Sequence, residues 1–235
     1  MKGILFLDLD GTYIRGNSFH MLLSIILLDW RVAKNIGAPA AFALAKRALR
    51  ISDHRTFNFT IQKLFLSLAD DQRACALEAL LQRMAHNTDG RLRALLAWAN
   101  SQGWHTVLAT AASTNYASEF ATRSGFQHCI ASPSPEELSG WRETRGIEKL
   151  RACRTLAEHL RANPNLIVAA SDHLEDLPLL RWAKVRIWSG PSEALVELGA
   201  LLDDCSGTLL ATAELAVNQA PTFVDAAGSK CEQTL

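Results

Sequence analysis

Two periods alternate along this chain. Ile4 to Leu9 is a short apolar run closed by Gly11, which predicts a buried parallel strand. From there the apolar spacing changes to about 3.6 residues. Asn17 or Ser18 is placed to cap a helix carrying Met21, Leu22, Leu23, Ile25, Ile26, Leu27 and Leu28 and ending near Trp30. Gly37 and Pro39 punctuate, so Ala40 to Arg50 is expected as a separate helix. Asp53 opens another, with Phe57, Ile61, Leu64, Phe65 and Leu68 in register, and Asp70 opens a fourth with Ala74, Leu77, Leu81 and Met84. No strand-like run interrupts them.

From Thr88 the pattern becomes helix and strand in turn. Helices are predicted over 90–102, 115–124, 147–163, 174–183 and from Pro191 through Leu202. Strands are predicted at Thr106–Ala109, His128–Ala131, Leu166–Ala169 and Val185–Trp188. Helices alternating with short apolar strands imply βαβ units and a parallel sheet. The strand at residues 4–9 has no other sheet to join. The fold class is therefore α/β, with an all-helical domain (14–87) inserted into one α/β core (1–13 and 88–235). Leu209 to Val217 reads as a weak helix and Ala220 to Leu235 as a loosely held tail.

Composition changes this picture little. Apolar residues at 49% and charged residues at 20% suit a globular chain with a real core. Net charge is zero, so nothing biases the whole chain toward nucleic acid or membranes. Its distribution is uneven: ten Lys/Arg against five Asp/Glu between Arg15 and Arg83 make that stretch +5 and the remainder −5. Five widely spaced cysteines form no Cys-x-x-Cys pair, which argues for reduced thiols in a cytoplasmic setting and against a zinc site. Asp8 and Asp10 interrupt the first apolar run, so a signal peptide is not expected. The stretch Phe19 to Trp30 is shorter than the roughly 20 residues a membrane span needs, so no stable membrane insertion is expected. Oligomeric state is not legible.

Four strand ends carry candidate chemistry. Asp8 and Asp10 are two apart, so both can face one crevice at the carboxyl end of the first strand. Held that close, they repel unless a proton or cation intervenes. Asp10-Gly11 is equally an ordinary turn pair. The second strand ends in Thr110-Ala111-Ala112, where a hydroxyl and the following amides form an anion cradle. A threonine at a strand end is nonetheless commonplace. Lys149 begins a helix, where its charge opposes the dipole. It is either an ordinary surface lysine or one that reaches into the crevice, with Arg142, Arg145 and Arg151 as nearby substitutes. Asp172 and Asp176, four apart after a strand, can face the same pocket, or Asp176 can simply cap the next helix. His173 reads as a solvent-facing neighbour and Glu148 as a surface residue.

In this order, Asp8-Leu9-Asp10-Gly11-Thr12, Thr110, Gly146-x-x-Lys149 and Ser171-Asp172-x-x-x-Asp176 resemble the four motifs of the haloacid dehalogenase (HAD) superfamily. Ser171 stands where that pattern usually has Gly. The helical insertion after the first motif resembles the C1-type cap of phosphoserine-phosphatase-like members. The Thr110 segment, with Tyr116-Ala117, is also loosely similar to HAD domains fused to polyprenyl transferases.

The resemblance implies a three-layer Rossmann-like core and a phosphatase acting on a small phosphorylated metabolite, with no nucleic-acid partner. It implies Mg2+ held by Asp8, the Asp10 backbone carbonyl and Asp172, with Asp176 ordering the metal or its waters. Asp8 would be the nucleophile, Asp10 the general acid and base, and Lys149 the charge-neutralising cation. Thr110, Ala111 and Gly11 would hold the phosphate. Arg15, Asn17, Phe19 and His20 emerge nearest the nucleophile and are candidates for the leaving group. The apolar stretch Met21 to Leu28 keeps a lipid or other hydrophobic phosphate open as an alternative. A dehalogenase, or a catalytically silent module, is the remaining one.

Overall fold

A computed structural model describes residues 2–203 and 205–215. Six parallel strands form one sheet in the order β3-β2-β1-β4-β5-β6: β1 (Ile4–Leu7), β2 (His105–Ser113), β3 (His128–Ser132), β4 (Ile167–Ser171), β5 (Val185–Trp188) and β6 (Thr208–Ala211). Helices α5 (Gly90–Ser101), α6 (Thr114–Ser124), α7 (Gly146–His159), α8 (Leu177–Trp182) and α9 (Ser192–Leu201) connect them. Apolar clusters fill both faces of the sheet, one around Leu5 and Leu7 and the other around Ile4 and Phe6. This is the three-layer, Rossmann-like arrangement expected of alternating βα units.

Strand order positions the site. The chain runs outward from β1 through β2 to β3, then returns to pair β4 against the other side of β1. Such a reversal leaves a crevice at the carboxyl ends of the central strands. Asp8 follows β1 directly and lies in that crevice.

Between β1 and α5 stand four helices, α1 (Ser18–Leu28), α2 (Trp30–Ala48), α3 (His54–Leu66) and α4 (Asp70–His86). Asn17 and Asp53 cap α1 and α3 through their side-chain oxygens, as expected. The chain leaves and re-enters the core through paired backbone: the Arg15 amide donates to Asn87 (2.8 Å) and the Asp89 amide to Tyr13 (2.8 Å). Met21, Leu22, Leu23, Ile25 and Ile26 are buried among these helices, so most of the apolar stretch is interior and not lipid-facing.

Two expectations fail. Gly37 and Pro39 do not end a helix; α2 runs through both. An interior proline costs about 3 kcal/mol, but burying Val32 and Ile36 returns about 1.5–3 kcal/mol each and Ala40 and Ala43 add to it. Tertiary packing overrides the local signal. The first half of the expected Leu209–Val217 helix fails as well; Thr208–Ala211 pairs with Val185–Trp188 as β6, because an open strand edge satisfies the segment's amides, and helical backbone is confined to one 3-10 turn at Thr212–Glu214. The end of that expected helix, and the expected tail, lie outside the described residues. Among the described residues no helix is long and apolar enough to cross a membrane.

Candidate active site

Asp8, Asp10, Gly11, Thr110, Ala111, Lys149, Asp172 and Asp176 line one cavity of about 460 Å3 at the carboxyl ends of β1, β2 and β4. Residues from four separate sequence segments thus meet, as the strand-end pattern requires. Asn17 and His20 reach the same cavity from the start of α1.

Lys149 is the centre of the arrangement. It is 3% exposed, and its Nζ donates to Asp8 Oδ1 (2.8 Å) and to Asp176 Oδ2 (2.7 Å). A lysine is almost never fully buried unless paired. Two carboxylates hold it charged, and their attraction raises its pKa against the opposing cost of burial. Asp176 is buried and also accepts from Ser171 Oγ (2.8 Å). Ser171 in turn accepts from the His173 amide (3.2 Å). The serine hydroxyl therefore positions Asp176, a role its place in the motif does not reveal.

Burial pushes the Asp8 carboxyl up to about 7, opposed by Lys149 and reinforced by Asp176 and Asp10. Asp10 is also raised by burial, opposed by its bonds to Ser18: the Ser18 amide donates to Oδ1 (2.6 Å) and its hydroxyl to Oδ2 (3.1 Å). Asp172 is raised by burial too, opposed by Thr12, whose Oγ1 donates to Oδ1 at 3.3 Å. Gly11 is required at its position twice over. Its φ is +71°, and a Cβ there would run into the Asp172 carboxylate.

The lining carries five carboxyl groups (Asp8, Asp10, Asp172, Glu175, Asp176) against two fixed cations (Arg145, Lys149). Such a surplus of negative oxygens in a half-enclosed cavity calls for protons or a cation. The donor set fits a hard dication: Asp8, Asp172 and the Asp10 carbonyl supply only oxygen. Among the described residues no three His, Cys, Asp or Glu side chains are drawn into a metal cage. Mg2+ ordinarily needs only one or two carboxylates and keeps several waters. Asp176 meets both Lys149 and Ser171 through Oδ2.

Other candidates fall elsewhere. Arg15 points away: its guanidinium pairs with Asp89 (3.2 Å) and its side chain is 78% exposed. It lines a separate cavity, so it is corrected from the leaving-group set. Phe19 packs edge-on against Phe57 (5.5 Å) in the helical core. His173 does line the cavity, where its Nδ1 accepts from the Glu175 amide as a local cap. Arg142 and Arg151 are not needed as substitutes, but Arg145 does line the cavity, paired with Glu143 (2.8 Å) and Glu175 (3.0 Å).

A missed feature is the loop preceding α7. Arg55 on α3 donates to the Trp141 and Leu138 carbonyls, Asn58 to Glu143, and Phe59 packs edge-on to Trp141 (5.8 Å). These bonds join the helical insertion to the core beside the cavity mouth. No local sequence signal pairs residues this far apart.

Comparison with known proteins agrees with this geometry. The sequence profile of the haloacid dehalogenase-like hydrolases matches residues 5–181. The chain belongs to that family and is a hydrolase of the HAD type. No curated protein sequence matches it. Among solved structures, a Bordetella pertussis Tohama I protein of unknown function aligns with a TM-score of 0.70 at 14% identity, covering 89% of this chain and 99% of that one. A probable phosphoserine phosphatase from Vibrio cholerae aligns at 0.62 and 14% identity over 88% of this chain and 59% of its own. A HAD family hydrolase from Salmonella enterica serovar Typhi aligns at 0.60 and 13% identity, over 88% and 66%. At such identities the likeness establishes the fold alone.

Proposed function

We propose that this chain is a Mg2+-dependent phosphatase that hydrolyses a small phosphate monoester through an aspartyl-phosphate on Asp8. The observation that carries the reading is Lys149, buried in the crevice with its ammonium shared by Asp8 and Asp176. That cation keeps a buried carboxylate available as a nucleophile and leaves one Asp8 oxygen for attack.

Asp8 attacks phosphorus, the bond to the ester oxygen breaks, and the leaving alkoxide takes a proton from Asp10. The raised pKa of Asp10 suits it to hold that proton. Asp10 then takes a proton from water, whose oxygen attacks the phosphoenzyme, and the P–O bond to Asp8 breaks to release inorganic phosphate. Thr110 and the Ala111 amide hold the transferring group, with Gly11 lining the same wall. Mg2+, when bound by Asp8, Asp172 and the Asp10 carbonyl, spreads the charge of the incoming phosphate. Residues 14–87 are proposed as a cap. The paired connections at Arg15–Asn87 and Tyr13–Asp89 support hinges there, and His20 supports contact with the leaving group.

The test uses an aryl phosphate and a metabolite panel with and without Mg2+. Asp10→Asn is expected to slow release of phosphate more than its capture, leaving acid-trappable phosphoenzyme with an activated substrate. Unchanged turnover refutes the acid–base role.

Metal dependence should also show in stability. At Asp8, Asp10 and Asp172, raised by burial, the folded metal-free protein holds protons that the unfolded chain gives up. The stability these three groups contribute is therefore lost as pH rises from about 4 through 7. Mg2+ requires the ionised carboxylates, so it should raise the Tm more at pH 8 than at pH 5.5. Thermal melts with chelator or millimolar MgCl2 at both pH values decide it; equal shifts count against the donor set.

A further inference from the structure

The outer face of α2 belongs to no part of the site. Its inner stripe, Val32, Ile36, Ala40 and Ala43, is buried. Opposite it lie Trp30, Lys34, Phe42 and Lys46, separated by alanines, with Leu28 before the helix and Leu49 and Ile51 after it. Six of the nine large apolar side chains exposed among the described residues fall between Leu28 and Ile51. Leu28 is 81% exposed, Trp30 71%, Phe42 63%, Leu49 71% and Ile51 68%. A cluster of that kind marks an interaction surface.

Its charge names the partner. Between Leu28 and Ile51 stand Arg31, Lys34, Lys46, Arg47 and Arg50 against Asp29 alone, a balance of +4 in a chain that is neutral overall. Lys34 sits over the Trp30 ring (5.4 Å) and Lys46 over the Phe42 ring (4.6 Å). Each pair sets an apolar ring beside an ammonium, the geometry of a residue pair that straddles an apolar–polar boundary. The patch also opens into an apolar cavity of about 390 Å3 between α2 and α3, lined in part by Phe42, Ile51 and Phe57 with Lys46 at its edge. A second copy of this chain packed about a two-fold axis would set these cations against themselves. An anionic lipid surface meets them with opposite charge.

We infer that α2 is a docking face for an anionic membrane surface, lying in the plane of the interface with Trp30, Phe42, Leu49 and Ile51 dipping toward the acyl region. The exposed face joins large apolar side chains to basic ones, which suits lying on a membrane and not spanning one.

The full chain is tested by co-sedimentation with vesicles of phosphatidylcholine alone or with phosphatidylglycerol. Binding is expected only to the mixed vesicles, weakening in high salt. Lys34→Glu with Lys46→Glu should weaken it about tenfold or more. Trp30→Ser with Phe42→Ser should weaken it also, since both classes of contact contribute. Both variants should keep the melting temperature and the activity on a soluble aryl phosphate. Failure to bind the mixed vesicles at low salt overturns the proposal, as does equal binding to both compositions. So does a dimer, seen by sedimentation velocity, that the same substitutions dissolve.

Discussion

Asp8→Asn is expected to reduce phosphatase turnover by at least about 10⁴-fold, as removal of a catalytic nucleophile does elsewhere. The isosteric amide keeps the space and can still accept from Lys149, which retains Asp176 as its second partner. Burial is the largest influence on the Asp8 carboxyl and acts against its charged form. Replacing it with a neutral amide removes that cost. The variant should therefore be as stable as the parent at pH 8, or more so, while losing activity. Circular dichroism melts beside steady-state rates test both halves. Retained turnover would refute the nucleophile assignment. Loss of turnover with a collapsed Tm would mean that the carboxylate holds the fold and not the chemistry.

Lys149→Met is expected to damage both stability and activity. It removes the cation from between Asp8 and Asp176, both buried, and breaking such a pair on one side costs about 3–5 kcal/mol. Loss of the cation raises the folded pKa of Asp8 further, and Asp8 can lessen the cost by taking up a proton. Folding is then linked to proton uptake, so the loss should be smaller at pH 5.5 and larger at pH 8. Denaturant unfolding at the two pH values measures it. Adding Asp176→Asn removes one of the stranded charges and should recover part of the stability at pH 8, with no recovery of turnover. A loss independent of pH would show that packing of the lysine stem, and not its charge, sustains the site.

Much of the fold was readable residue by residue. The caps at Asn17 and Asp53 act within three residues of themselves, through His20 and Thr56. The alternation of β-rich runs and helices after Thr88 reflects local burial, so it located β2 to β5 within a few residues. The strand-end groups were readable for the same reason, since a carboxylate just after a buried strand emerges at its tip wherever the strand lies in the sheet. Pro39 misled because its penalty is local while the compensation comes from other helices. The segment at Thr208–Ala211 misled because its amides find partners only in β5.

By itself the sequence determined the α/β class, the inserted helices and which residue types stand at the carboxyl ends of the strands, because periodicity, caps and strand ends depend on neighbours along the chain. Only the tertiary structure decided what each side chain meets. It buried Lys149 against Asp8, 141 positions away, gave Ser171 to Asp176 and turned Arg15 out to Asp89. It also left one face of α2 exposed among the described residues. Those outcomes follow from strand order and from how helices pack on one another, and no spacing within a single segment encodes them.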